Sequence, residues 1–195
     1  LPIYLGIVTQ MSVWLMPAPE HFEAFFFLTQ NEHGLGPVVD ALRPLRLNGT
    51  LRSAMHIGND YKVLAATSQY PWDRMNGATP LDRLTVRQLR KEATVGAWNG
   101  SGGLYGTKAQ VREAKRQLRR AIGARVDRLQ FVDDRLIALM QRFAKPFRWV
   151  SGWDISRTLS VLTPVYGLLQ GVPTEAPLAS TYWRTRGSLP HHMDP

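Results

Sequence analysis

The side chains able to do chemistry in this sequence are scattered rather than clustered. His191 and His192, with Asp194, offer nitrogen and oxygen ligands for a metal, but a solvated polar tail is the simpler account of them. His21, His33 and His56 are isolated from one another along the chain. The run Asn99-Gly100-Ser101-Gly102-Gly103-Leu104-Tyr105-Gly106 stands just before a helix start, where backbone N–H groups can cradle a phosphate. It lacks the Gly-Lys-Ser/Thr ending of a P-loop and departs from Gly-x-Gly-x-x-Gly, so a structural turn is expected instead. Asn48-Gly49-Thr50 and Asn99-Gly100-Ser101 match the glycosylation acceptor pattern, which carries weight only behind a secretion signal. A Gly-x-Ser-x-Gly elbow, a His-Glu-x-x-His pair and a compact carboxylate dyad are all missing. The motifs therefore assign no catalytic residue and no metal ligand.

Basic side chains gather at Lys108, Arg112, Lys115, Arg116, Arg119, Arg120, Arg125 and Arg128, mostly opposite the apolar stripe of a helix at 107–122. A solvated helix face accounts for them. The alternative is a stand-alone basic ferredoxin-like module that binds nucleic acid, with Phe25, Phe26 and Phe27 as stacking platforms. The Lys/Arg-Gly-aromatic strand signature of such modules is missing, and charge on a helix lies on the wrong surface for sheet-face binding. No nucleic-acid partner is expected.

Composition sets the outer limits. The chain has 195 residues, 44% of them apolar, which is enough to close a real core, and 20% charge is far from a disordered composition. Its 24 basic and 15 acidic side chains give a net charge of +9. With no cysteine, disulfide frameworks, thiolate zinc sites, iron–sulfur clusters and thiol nucleophiles are excluded. Residues 1–19 are uncharged, but Pro2, Pro17 and Pro19 and the polar Thr9, Gln10 and Ser12 speak against a membrane span. From Ile7 to Met16 the pattern alternates with two largely apolar faces, which predicts a strand covered on both sides.

The elements that must position these groups follow from periodicity. A strand is expected over about Phe22–Leu28, with Phe22, Ala24, Phe26 and Leu28 on one face and Phe25 and Phe27 on the other. A helix begins near Leu35 with Val38, Val39, Leu42 and Leu45 as its stripe, and Pro44 is expected to end or bend it near Arg43. A weaker strand over 50–57, a short helix over Asn59–Ala66, a loop over 67–84, a helix over Val86–Ala93 and a strand over Val95–Trp98 come next. The best-signalled helix follows: Thr107 and Gln110 form a capping box, Val111, Ala114, Leu118, Ala121 and Ile122 form its stripe, and Gly123 stops it. A strand over 125–132 precedes helical segments near Asp133–Phe143 and Ser156–Leu162. Two βαβ halves in this order predict an α+β fold, a ferredoxin-like antiparallel sheet with helices packed on one face. Such a sheet would leave Val8, Trp14, Phe25 or Phe27 uncovered, and apolar surface of that extent marks an interface.

Several segments resemble the flavoprotein family of vanillyl-alcohol oxidase and 4-cresol dehydrogenase (p-cresol methylhydroxylase). They are Gly6-Ile7-Val8-Thr9 running into Trp14-Leu15-Met16-Pro17, then Leu42-Arg43-Pro44-Leu45-Arg46-Leu47, Trp98-Asn99 with Leu104-Tyr105-Gly106, and Gln170-Gly171-Val172-Pro173-Thr174. The resemblance implies the cap (substrate) domain of an FAD-linked oxidase: residues 1–17 as the strand leaving an FAD-binding domain absent from this chain, and 18–195 as a partial cap. It implies an enzyme that oxidises para-substituted phenols by hydride transfer to flavin, with FAD held mainly outside this chain and the fragment alone inactive. Gly6, Ile7 and Val8 match a stretch whose backbone approaches FAD in this fold, so they are the cofactor-binding candidates. The partners implied are the FAD-binding domain of the same full-length protein, a phenolic small molecule, further copies in a homo-oligomer, and a cytochrome c subunit where one reoxidises the flavin. Family members occur in both cytoplasm and periplasm. A non-catalytic assembly subunit is the remaining alternative.

Overall fold

The computed structural model describes residues 7, 9–15, 17–147 and 155–185. Its centre is β1 (His21–Thr29), whose alternation buries Phe25 and Phe27 on one face and points Phe22, Ala24 and Phe26 to the other. β1 pairs antiparallel on one side with β3 (Trp98–Gly106) and on the other with β4 (Arg128–Val132), and β2 (His56–Asn59) pairs antiparallel with β3. The order β2-β3-β1-β4 is the split βαβ arrangement expected of a ferredoxin-like sheet.

Helices α1 (Leu35–Leu47) and α4 (Lys108–Ile122) lie on the Phe25/Phe27 face. Val38, Leu42 and Leu45 of α1 meet Val111, Ala114, Leu118 and Ile122 of α4 across the two rings, with Leu51 and Leu104 filling the remaining space. Burying a large apolar side chain of this kind contributes about 1.5–3 kcal/mol. The capping box forms as predicted: Thr107 Oγ1 accepts from Gln110 N at 3.3 Å, and Gln110 Oε1 accepts from Thr107 N at 2.8 Å. Phe25 and Phe27 are therefore covered, and the aromatic side chain left partly open is Phe26, with Leu28 beside it.

The glycine-rich run is a strand and not a turn, and it occupies the middle of the sheet. Cross-strand register sets Gly102 opposite Phe25 and Gly100 opposite Phe27. A Cβ on Gly100 would lie 2.1 Å from Phe27 Cζ, and one on Gly102 would lie 2.6 Å from Phe25 Cζ. The aromatic rings of β1 thus lie over the bare backbone of β3, an arrangement that lets glycine persist in a central strand.

Other boundaries also differ from expectation. Pro44 stays inside α1, because Leu45 is buried and Arg46 Nη1 donates to the carbonyls of Leu51 (2.8 Å) and Ser53 (3.1 Å). Those bonds hold residues 51–53 against the helix, so β2 starts at His56 and Ser53 Oγ accepts from Gly103 N at 2.8 Å where a ladder partner would have been. Helices α2 (Asp60–Thr67) and α3 (Arg83–Ala93) follow the sequence pattern, capped by Asn59 and Asp82. Residues between them fold into a satellite core in which Tyr70 packs on Trp72 and on Trp183, just past the 3₁₀ segment Ala176–Tyr182.

Helices α5 (Asp134–Phe147) and α6 (Ile155–Leu169) reach the opposite sheet face and cover one end of it, where Ile137, Tyr166 and Leu169 pack on Phe22, Ala24 and Val132. Residues 9–15 form no strand: Met11, Val13, Trp14 and Leu15 are exposed, Trp14 at 96%. A strand with two apolar faces needs a ladder partner and a layer on each side, and the described residues supply neither. No described helix is long and apolar enough to cross a membrane.

Candidate functional site

Of the cofactor-binding candidates, Gly6 and Val8 lie outside the described residues, as do His191, His192 and Asp194, while Ile7 is 94% exposed. The glycine run cradles no phosphate, since aromatic rings fill the space over it. The described residues thus build no dinucleotide cradle.

The basic cluster is largely spoken for by the fold. Lys115 pairs with the buried Glu23 and sits over the Phe131 ring at 4.7 Å, with Arg119 over the same ring at 4.8 Å. Arg116 Nε donates to Glu113 at 2.8 Å, and Arg125 donates to the Ala121 carbonyl at 2.6 Å. A shallow cleft beside Lys115 collects His21, Glu23, Lys108, Arg112, Asp133, Asp134 and Arg135. Its acids have structural duties. Asp133 Oδ1 accepts from Leu136 N (2.8 Å), and Asp134 Oδ1 accepts from Tyr166 Oη (2.8 Å). Burial, followed by that Asp134 contact, holds the Tyr166 hydroxyl well above its usual titration range, and burial raises Tyr105 as well. Tyr105 Oη donates to the Leu169 carbonyl at 2.5 Å, which ties α6 to the sheet.

What remains is the half of the second sheet face that α5 and α6 leave open. Register places two rows there. One runs His56, Ser101, Phe26, Gln130 across the four strands, and the next runs Gly58, Asn99, Leu28, Arg128. Phe26 and Leu28 are half-buried, and His56, Gln130 and Arg128 are exposed. Asn99 is committed to the backbone of Gly96, accepting from its N–H and donating to its carbonyl, both at 2.9 Å. Lys62 of α2 reaches the same corner, its Cγ 3.1 Å from where a Cβ on Gly58 would sit. Leu162 and Val165 of α6 pack, like Phe26, at the edge of the cluster around Phe22, Ala24 and Val132 and bound the open face at that end. The result is a floor and one wall: an apolar centre, uncharged polar groups beside it, and basic side chains at the rim.

No protein-family model matches the chain. Over 192 residues (98% of the chain) it is 34% identical to the 1'-carboxy-chondrochloren decarboxylase of Chondromyces crocatus, covering 35% of that protein. Over 110 residues (54% of the chain) it is 36% identical to the 4-cresol dehydrogenase [hydroxylating] flavoprotein subunit of Pseudomonas putida, covering 20% of it. Its fold is that of p-cresol methylhydroxylase solved with substrate bound, at TM-score 0.66 and 22% identity over 88% of this chain and 29% of that one. The 4-ethylphenol oxidase of Gulosibacter chungangensis, solved with isoeugenol, superposes at TM-score 0.65 and 21% identity over 86% of this chain. The chain is similar in sequence to the 4-cresol dehydrogenase flavoprotein subunit and shares the fold of p-cresol methylhydroxylase. It spans about a third of the length of the first of these curated relatives.

Sequence patterns did not assemble this open face. His56, Ser101 and Gln130 come from three strands, two of which carry little alternation, so only Phe26 and Leu28 were placed on the correct face in advance. The strand pairing that joins them is long-range and has no local signature.

Proposed function

We propose that this chain is the cap, or substrate-domain, segment of an FAD-linked oxidoreductase that oxidises para-substituted phenols by hydride transfer to flavin. The observation that carries the proposal is the half-covered sheet face of Phe26, Ser101, Leu28 and Gln130 in a chain similar to the 4-cresol dehydrogenase flavoprotein subunit and spanning about a third of the length of the decarboxylase it matches. In this proposal residues 18–195 belong to the cap, and 1–17 lead out of the FAD-binding domain of the same protein. Gly6, Ile7 and Val8 are the backbone that approaches the cofactor. Flavin supplies the redox chemistry. The contribution of this chain is to pack the phenol ring on Phe26, to exclude water with Leu28, Leu162 and Val165, and to orient polar substituents through Ser101 and Gln130. The exposed apolar segment around Met11, Val13 and Trp14 joins the FAD-binding domain by strand pairing, which satisfies both its backbone and its side chains. Assembly as a homo-oligomer and with a cytochrome c subunit belongs to the same proposal.

The test is anaerobic mixing of the full-length flavoprotein with 4-cresol and 4-ethylphenol while flavin absorbance is followed. Bleaching with saturation in phenol is expected. A flavin that no para-alkylphenol bleaches refutes the activity. For the 195-residue segment by itself, mixing with FAD is expected to leave flavin fluorescence unquenched, and tight stoichiometric quenching would overturn the division of labour between cap and cofactor domain.

A further inference from the structure

The charge of the open floor narrows the substrate class, an inference that rests on the floor being the substrate wall. Its two rows carry His56 at one end and Arg128 at the other, and Lys62 stands over Gly58, two residues along β2 from His56. No carboxylate occurs in either row. The nearest acids along the chain lie outside these rows and have other partners: Asp127, next to Arg128, accepts from Gln30 N at 2.6 Å. Asp60 Oδ2 lies 3.6 Å from Arg90 Nη1 and its Oδ1 accepts from Tyr61 N at 2.8 Å, while Asp134 at the α6 end accepts from Tyr166. Glu32 shares the same arginine at 3.9 Å. The floor is therefore positive with no internal counter-charge, and the side chains of His56, Lys62, Ser101 and Gln130 make no hydrogen bond or ion pair among the described residues.

We infer that the substrate is a phenol whose ring lies against Phe26 and whose para side chain ends in a carboxylate received at the His56–Lys62 corner. The spacing suits this. His56 and Phe26 share a row two strands apart, about 9–10 Å across the sheet, and Ser101 lies between them. A ring over Phe26 with a side chain of two or three carbons spans that separation. A neutral alkyl group directed to the same corner would leave a lysine and an imidazole facing hydrocarbon after losing their water, which disfavours it. A carboxylate converts both into charge-assisted contacts.

The experiment uses the full-length flavoprotein with 3-(4-hydroxyphenyl)propanoate and 4-propylphenol, which share a ring and a three-carbon chain and differ in the terminal group. Binding is read by titration calorimetry and turnover by anaerobic flavin reduction. The acid is expected to bind at least about tenfold more tightly than the alkylphenol, as one charge-assisted contact predicts. Lys62→Glu is expected to abolish or reverse that preference, His56→Gln to reduce it, and Arg112→Gln, on the far face, to leave the ratio where it was. Equal affinity for the two ligands, a preference for 4-propylphenol, or an acid preference that survives Lys62→Glu overturns the inference. If neither phenol reduces flavin but the acid still binds in a Lys62-dependent way, the oxidase activity fails and the carboxylate site stands. Circular dichroism of each variant shows whether lost binding reflects lost folding, and a Lys62→Met variant that folds and keeps full preference for the acid also refutes the site.

Discussion

Replacing Gly100 by alanine should destabilise this protein although strand propensity says the reverse. Glycine inside a regular element costs about 0.5–1 kcal/mol relative to alanine, so the substitution would ordinarily help. Here the new Cβ would sit 2.1, 2.2 and 2.8 Å from Phe27 Cζ, Cε1 and Cε2, against an ordinary carbon contact of about 3.5–4 Å. Phe27 is 4% exposed, enclosed by α1 and α4, and cannot swing away without displacing the core. Overpacking of this kind costs about 1–3 kcal/mol, and its sign opposes the propensity gain, so a net loss of about 1–2 kcal/mol is expected. The assay is urea unfolding followed by far-ultraviolet circular dichroism. Gly167→Ala serves as the internal control: it lies inside α6, its prospective Cβ meets only Val172 Cβ at an ordinary 3.6 Å, and it should stabilise by about 0.5–1 kcal/mol. Phe27→Ala alone should cost about 3–5 kcal/mol. Combining it with Gly100→Ala should recover at least about 1 kcal/mol relative to the sum, because the ring that causes the clash is gone. A neutral Gly100→Ala, or a strictly additive cycle, would refute the ring-over-glycine account of β3.

Thr107→Ala removes the side-chain half of the α4 capping box and should lower stability by about 1 kcal/mol in the same unfolding assay, with an unchanged denaturant slope. Lys115→Met leaves the Glu23 carboxylate buried without its cation and should cost about 2–3 kcal/mol, whereas Lys115→Met combined with Glu23→Gln should cost clearly less than the lysine change alone. Tyr166 titrates higher in the fold than the ordinary phenol value of 10.0, through burial and then Asp134. The proton is thus held more tightly in the folded state, so the stabilisation from this group is complete below about pH 10 and declines as pH rises beyond it. Urea midpoints measured across that range should fall less steeply for Tyr166→Phe than for the parent protein.

Much of this fold is determined locally. The β1 alternation sorted Phe25 and Phe27 from Phe22, Ala24 and Phe26 onto opposite faces, and the capping box with its i, i+3, i+4 stripe located α4 within one residue at each end. These signals survive because side-chain period and cap chemistry depend on neighbours within a turn or two of chain. The resemblance to the family was also carried by short segments, among them Trp98-Asn99 and Leu104-Tyr105-Gly106, which the structure places on β3.

Three features were decided only by tertiary structure. Asn99–Gly106 looks like a turn because glycine has no preference for a strand, and it becomes an inner strand because Phe27 and Phe25, 73 and 77 residues before Gly100 and Gly102, need the room. Pro44 looks like a helix end and is overruled by the burial of Leu45 and the hydrogen bonds of Arg46. The open floor exists only where β2, β3, β1 and β4 lie side by side, since cross-strand neighbours are set by register and not by sequence distance. Local chemistry thus chose the elements of this protein, and long-range packing chose which of their faces was left to meet a partner.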